Sequence, residues 1–548
     1  MKKILYSFFV IPAVALWGCA NFDDLNVNPA ASTDMDPLLM IPTIQMMQTE
    51  NHQEWARYLS YPAGFMNQWT GSWGVVEYGG RGILYDNYSE QMWMSYYPAI
   101  VRDVVDVVYR TTGDESKVNL NAIARILKVQ IFHRLTDMYG DIPYFDAGKG
   151  YTHDVIMPAY DPQSEIYPDL LKELREASEA LDPAADAVPN DLYYRGDIAR
   201  WKKFANSLRL RLAMRLVKVD PATAKSEAEA AIAAGVFTSN ADLCYIQHEE
   251  WPYDSGGPGK GNAIAVRLQS PDETLNTYRL TTELVRQMEN TGDPRLMWYG
   301  RAYCNAPRRT DITDIVRSLP EFTSYTSMAL DAQRWGWDVW VGNIEITIGT
   351  TPVTLTNGEW RLQPSGWVND TASPYIHLSY AEVELLMAEA AFRGWNTGGT
   401  ARDHYTKGLE AAVRQWSLWN SAFMGGSPVM DETAIQNFLT NNVLVAGNEM
   451  NLINTQLWVL HFLNPHETWA NWRRTGYPDL YFHNFEPARN QTNGLFPRRL
   501  PYPIEEQMKN EVNYNDVLSR MGGTDDWTKR VWWDAIPASG APERDDIN

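Results

Sequence analysis

The residues with the most distinctive chemistry are aromatic. Tryptophan is unusually common, with 22 residues against 16 Phe and beside 29 Tyr, in a chain of 548 residues. Indole and phenol rings have an apolar face and a polar edge, which suits them to amphipathic ligands. Sugars are such ligands: their C–H faces lie on rings while their hydroxyls bond to polar neighbours. Two clusters fall in sequence without helical periodicity. In Arg334-Trp335-Gly336-Trp337-Asp338-Val339-Trp340, an extended backbone puts Trp335 and Trp337 on one face, with Arg334 and Asp338 as hydrogen-bonding flanks and Trp340 beside them. The second lies in Gly64 to Met94, where Trp69, Trp73, Tyr78, Arg81, Tyr85 and Trp93 are set among glycines. Trp69 and Trp73, four apart, are candidates for an opposing wall, with Tyr78 and Arg81 close by. The alternative for both clusters is that the rings plug the core beneath loops.

Catalytic patterns are missing. There is no Gly-rich phosphate loop and no His-Glu-x-x-His run, and His461 and His466 are separated by Pro465, which breaks the helical spacing of a metal pair. With 68 acidic residues, any fold contains carboxylate pairs, so pairing alone does not indicate glycoside hydrolysis. Glu382, Glu384 and Glu389 read as solvated or helix-capping. The Tyr253–Gly261 stretch, with Asp254 among glycines, has a composition compatible with calcium, but such a stretch is more often only a loop. The chain is expected to bind rather than to catalyse, with no cofactor and no metal beyond a covalent lipid.

That lipid is expected on Cys19. Lys2 and Lys3 precede an apolar run from Ile4 to Trp17, closed by Gly18-Cys19. A charged start, a short apolar stretch and a small residue at the break mark a cleaved export signal, and the run is shorter than the ~18 residues of a spanning helix. Leu16-Trp17-Gly18-Cys19 resembles a lipobox, in which the thiol is acylated before cleavage. Asp23 and Asp24 then read either as an acidic surface-export tag or as a polar tether. The expected organisation is a signal over 1–18, a lipidated tether over 19–35 and one domain over 36–548.

The formal charge of −21, two units more negative once Lys2 and Lys3 are removed, repels polyphosphate and excludes nucleic acid as a partner. Beyond Cys19 only Cys244 and Cys304 remain, either as one disulfide or as two buried thiols. The elements that must position the aromatic clusters are mostly helices. Ile123, Leu127, Ile131 and Leu135 form one stripe before Gly140, and Ile166, Leu170, Leu174, Ala177 and Leu181 form another. Trp201 to Val219 is a long helix, and Asp220-Pro221 opens the next, which closes at Gly235. Ser379-Tyr380-Ala381-Glu382 and Thr400-Ala401-Arg402-Asp403 open two more. Helix pairs with short links suggest stacked units of tetratricopeptide dimensions. Ile344 to Leu355 is strand-like.

Seven segments in order carry a family resemblance. They are Leu25-Asn26-Val27-Asn28-Pro29, Leu135 to Tyr144, Arg195-Gly196-Asp197 with Trp201 to Arg211, Asp293-Pro294-Arg295-Leu296, the Ser379 to Trp395 helix, Trp469 to Pro478, and Pro497 to Pro503. Together they resemble the SusD/RagB family of outer-membrane nutrient-binding lipoproteins, in particular its SusD-like second group. The resemblance implies a mainly α fold of tetratricopeptide-like helix pairs, with a loop-rich ligand-binding face and minor β. It also implies a SusC-like TonB-dependent transporter barrel as partner, placement on the outer face of the outer membrane, and capture of an oligosaccharide or, in some members, a peptide. A surface-anchored glycoside hydrolase is the remaining alternative. The motifs themselves read as structural: Asp141-Ile142-Pro143-Tyr144 as a helix exit, Asp197 as a cap, and Arg473-Arg474 as cations at a helix end.

Overall fold

The computed structural model describes residues 35–49, 59–70, 78–250, 260–268, 279–301, 344–348, 351–355, 363–422, 424–480, 482 and 488–545. Cys19, the 1–35 signal and tether up to residue 34, Trp73, the Arg334–Trp340 cluster, Cys304 and the 253–259 part of the glycine-rich stretch lie outside them. Among the described residues no helix is long and apolar enough to cross a membrane.

Helices dominate, and each sequence signal has a local cause. Val118–Tyr139 is buried nearly all round, so its sequence carries more than one apolar stripe. It stops at Gly140, whose φ of 84° suits glycine. The chain then leaves through Asp141 to Tyr144, held by Asp161, whose carboxylate accepts from the backbone N–H groups of Tyr144 and Phe145 at 2.8 Å each. Asp197 caps Ile198–Arg215 by accepting from the N–H of Arg200, and Asp220 caps Pro221–Gly235 with proline in its first turn. Thr400 and Asp403 form a reciprocal capping box at the start of Ala401–Arg414. The Ser379 hydroxyl caps Tyr380–Phe392. The other half of that expected box is absent, because the Glu382 side chain is engaged elsewhere.

Neighbouring helices pack in sequence. Val118–Tyr139 lies against Gln163–Ala180, which lies on Ile198–Arg215, which pairs with Pro221–Gly235. Tyr380–Phe392 pairs with Ala401–Arg414 and also meets Glu449–Leu460 and Ile198–Arg215, joining the N-terminal and C-terminal helices. One buried apolar cluster runs through them from Ile41 to Trp533. Among the described residues the strands form four two-stranded antiparallel sheets. Cys244–Gln247 pairs with Pro374–Leu378, and the strand-like segment is a hairpin of Ile344–Ile348 with Thr351–Leu355, in which Ile346 faces Val353. Cys244 is a buried free thiol.

The three glutamates read as solvated or capping are instead buried, Glu382 and Glu389 against arginines and Glu384 against a histidine. Glu382 accepts from Arg211 Nε and Nη2 at 2.6 and 2.7 Å and contacts His461 Nε2 at 3.0 Å. Glu384 meets His404 Nδ1 at 2.7 Å. Glu389 accepts from Arg474 Nη1 and Nη2 at 2.5 and 2.7 Å, and from Arg393. Burial raises the Glu389 carboxyl, but Arg474 and Arg393 outweigh it and hold the group down at about 2. Arg473 and Arg474 are correspondingly interior: Arg473 lies over the Trp469 ring, 4.0 Å from its centroid, and donates to the carbonyl of Arg498. The reason sequence periodicity misplaces these acids is that helix Tyr380–Phe392 is covered on every side by other helices.

Candidate functional site

The described part of the Gly64–Met94 region presents an aromatic patch made of Tyr78, Tyr85 and Tyr88. Tyr78 and Tyr85 stack with ring centroids 5.2 Å apart and planes 14° from parallel. The Tyr88 ring stands edge-on to both, at 5.1 and 4.9 Å. Tyr85 is 41 % exposed, so the patch reaches the surface there. Asn87, also exposed, donates to the Tyr85 hydroxyl at 3.1 Å, and Asp86 lies beside it at the surface. Ring faces with amide and carboxylate neighbours are the surface chemistry that a sugar ring and its hydroxyls require.

This patch is held by a rigid loop. The turn Gly79–Arg81 passes so close to the preceding segment that a Cβ on Gly79 would lie 2.3 Å from the carbonyl oxygen of Ser60, so only glycine fits. Gly82 follows with φ of 65°, where glycine is favoured. Distant segments clamp both ends. Asn490 Nδ2 donates to the carbonyl of Arg81, the N–H of Gln491 donates to the carbonyl of Gly82, and the N–H of Leu84 donates to Gln491 Oε1, all at 2.8 Å. The Tyr61 hydroxyl accepts from the N–H of Tyr85 at 2.7 Å and reaches its carbonyl at 3.3 Å. Burial pushes the Tyr61 hydroxyl far up, so it stays neutral and able to donate.

The expected site residues separate by depth. Trp69 is only 2 % exposed, and its indole N–H donates to the carbonyl of Phe462 at 3.1 Å. It begins a column of rings inside the core: Trp69 stacks on Phe462 at 4.5 Å, Phe462 on Tyr299 at 4.5 Å, Tyr299 meets Trp416 at 5.1 Å, and Trp416 stacks on Trp419 at 4.2 Å. Trp69 is therefore a core ring and not a wall of the surface platform. Arg81 is also buried, at 5 % exposure. Tyr78 is half-buried within the patch. Trp93 sits among Tyr97, Tyr139, Tyr160 and Tyr502 in the core. Trp73, Arg334, Trp335, Trp337, Asp338 and Trp340 lie outside the described residues. Tyr88 was not singled out in the sequence, although its spacing of three from Tyr85 across Asp86-Asn87 signals a shared helical face. Among the described residues no group of three or more His, Cys, Asp or Glu is placed to hold a metal.

Fold and patch together define a helix-pair scaffold that carries aromatic chemistry on clamped surface loops. The chain belongs to the second SusD-like family, described as "Starch-binding associating with outer membrane", whose family model matches residues 29–503. Among solved structures, the chain is similar to a chitin-binding protein at 34 % identity, over 91 % of this chain and 100 % of that one, with a TM-score of 0.76. A SusD-like protein of Bacteroidetes AC2a aligns at 29 % identity with a TM-score of 0.80, over 92 % and 100 % of the two chains. A chitin-binding SusD homologue from Flavobacterium johnsoniae aligns at 25 % identity and a TM-score of 0.66, over 91 % and 98 %. No curated protein matches the chain.

Proposed function

We propose that this protein is a cell-surface lipoprotein that captures a glycan, without cleaving it, and passes it to a SusC-like TonB-dependent barrel. The observation that carries the reading is the 34 % identity to a chitin-binding protein along that protein's whole length. It makes oligosaccharides of β-linked N-acetylglucosamine the first substrate class to test. The Tyr78–Tyr85–Tyr88 patch, which reaches the surface at Tyr85, supports it, because phenol rings offer the C–H face of a sugar an apolar surface. Trp73 and the Arg334–Trp340 cluster are proposed as further contacts, and Cys19 as the lipidated residue that keeps the protein on the outer membrane beside its transporter.

Titration calorimetry of the purified mature protein with a chitin hexasaccharide, a starch hexasaccharide and a peptide of similar length tests the ligand. Binding of the chitin fragment, with the sugar recovered intact by chromatography, is the expected result. Binding of starch alone moves the ligand class, binding of peptide alone removes the glycan reading, and cleavage products refute a non-catalytic role. Replacing Cys19 by Ala is expected to release a folded, binding-competent protein from the membrane fraction. Copurification of a barrel with the lipidated protein tests the partner.

A further inference from the structure

Large apolar side chains stand uncovered on neighbouring elements at one place in the fold. Tyr151 is 89 % exposed, Val512 82 %, Ile156 80 % and Met508 75 %, four of the five most exposed large apolar side chains among the described residues. Tyr109 and Met157 are more than half exposed beside them. Single residues of this kind are ordinary on a surface, whereas a group of them marks a place that another molecule covers.

Contacts bring the six together. Tyr109 is on helix Arg102–Thr111, Tyr151 is on the short helix Gly150–His153, and Ile156 and Met157 follow it. Met508 and Val512 are on Glu506–Lys509 and Glu511–Arg520. The His153 ring stands edge-on to Tyr109, with centroids 5.3 Å apart. A Cβ on Gly148 would lie 3.1 Å from Val105, so the segment runs close over the helix of Tyr109. On its other side Asn513 Nδ2 donates to the carbonyl of Met157 at 3.1 Å, and Asn510 Nδ2 to that of Pro158 at 2.9 Å. The same elements reach the aromatic patch: Trp93, soon after Tyr88 in the chain, packs against Tyr160 and Tyr502, 5.7 Å from each ring.

The entry of the chain and its charge indicate what covers this surface. Arg110, next to Tyr109, donates to the carbonyl of Met35 at 2.7 Å. Residues 19–34 precede Met35 and span at most about 55 Å when extended, so a lipid on Cys19 keeps this part of the molecule within that distance of the bilayer. A chain of formal charge −21 is repelled by anionic lipid headgroups and by a second copy of itself. A different protein embedded in the same membrane is the cover that remains. We propose that this surface docks on the extracellular rim of the outer-membrane barrel, through apolar contact of Tyr151, Ile156, Met508 and Val512. This docking rests on the barrel partner and the Cys19 lipid proposed above, and it sets the aromatic patch beside the barrel that receives the glycan.

Benzoylphenylalanine placed singly at Ile156, at Val512 and, as control, at Lys225 on helix Pro221–Gly235 tests the face in cells carrying the full lipidated chain. Irradiation is expected to join positions 156 and 512, and not 225, to one TonB-dependent barrel identified by mass. The double variant Ile156→Ser, Val512→Ser is expected to lower the yield of copurified barrel about tenfold, with the Tm of the soluble protein and its chitin hexasaccharide affinity unchanged. Undiminished copurification in the double variant, when the parent brings the barrel down, overturns the docking face and leaves the partner standing. A parent that brings down no barrel removes the partner, and this docking with it. Adducts at 156 and 512 that are absent, or that hold only lipid or a second copy of this chain, overturn the proposal as well.

Discussion

Two aromatic residues of the same loop region stand at opposite depths, and substitution distinguishes the roles proposed for them. Tyr85 is exposed, so under the proposed glycan capture Tyr85→Ala is expected to weaken binding about tenfold, equivalent to about 1.4 kcal/mol, while leaving Tm nearly unchanged. Trp69 is enclosed in the ring column, so Trp69→Ala is expected to cost about 3–5 kcal/mol of stability. Calorimetric affinity of the folded fraction is expected to stay within twofold of the parent. If Trp69→Ala removes affinity at full stability, its ring reaches ligand and its placement in the core is wrong. The sequence shows both residues in a glycine-rich aromatic stretch and cannot rank them. Depth is decided by Phe462, almost four hundred positions away, which supplies both the stacking face and the carbonyl that the indole N–H requires.

At the scale of elements, caps and stops are legible because their chemistry is local. Asp197, Asp220, Thr400 and Gly140 each act within a few residues of where they stand in the chain. Asp197→Ala is expected to destabilise by about 1 kcal/mol, measured by urea unfolding, with recovery of most of it in Asp197→Ser. The ties between elements are not legible in this way. Glu389 of Tyr380–Phe392 and Arg474 of Pro465–Thr475 are both fully buried and paired two-to-two. Glu389→Gln leaves a buried guanidinium without its carboxylate, and a loss of about 3–5 kcal/mol is expected in the same measurement. A loss under 1 kcal/mol would mean that water reaches the pair and that the helices are not closed over it. Periodicity assigned Glu389 to solvent because it assumes one wet face per helix, whereas this helix has none.

Over the whole molecule, buried histidines make stability depend on pH. Burial, reinforced by Arg211, holds His133 down at about 3, and burial, partly opposed by the carbonyl of Lys260, holds His248 down at about 4. Both are neutral in the fold, while in the unfolded chain they take up protons below the ordinary value of about 6.5. Because the folded values are depressed, their contribution is complete above pH 6.5 and is lost as pH falls towards 4 and then 3. Glu389, held at about 2, adds a second loss between its ordinary 4.5 and 2. The urea midpoint is therefore expected to fall steadily from pH 7 to pH 4, with a shallower slope in His133→Asn. A midpoint flat across that interval would mean that these imidazoles are protonated in the folded protein.

The sequence by itself determined the helical class, the positions of the helix starts and stops, the acidic character and the family, because each depends on neighbours within a turn or on motifs in linear order. The rings that reach the surface and the acids that pair inside were decided only by the tertiary structure. Their partners come from other segments, some of them hundreds of residues away: the loop of Tyr85 is clamped by Gln491, and Trp69 lies against Phe462. Burial is a property of what packs on a residue, and no local pattern records that.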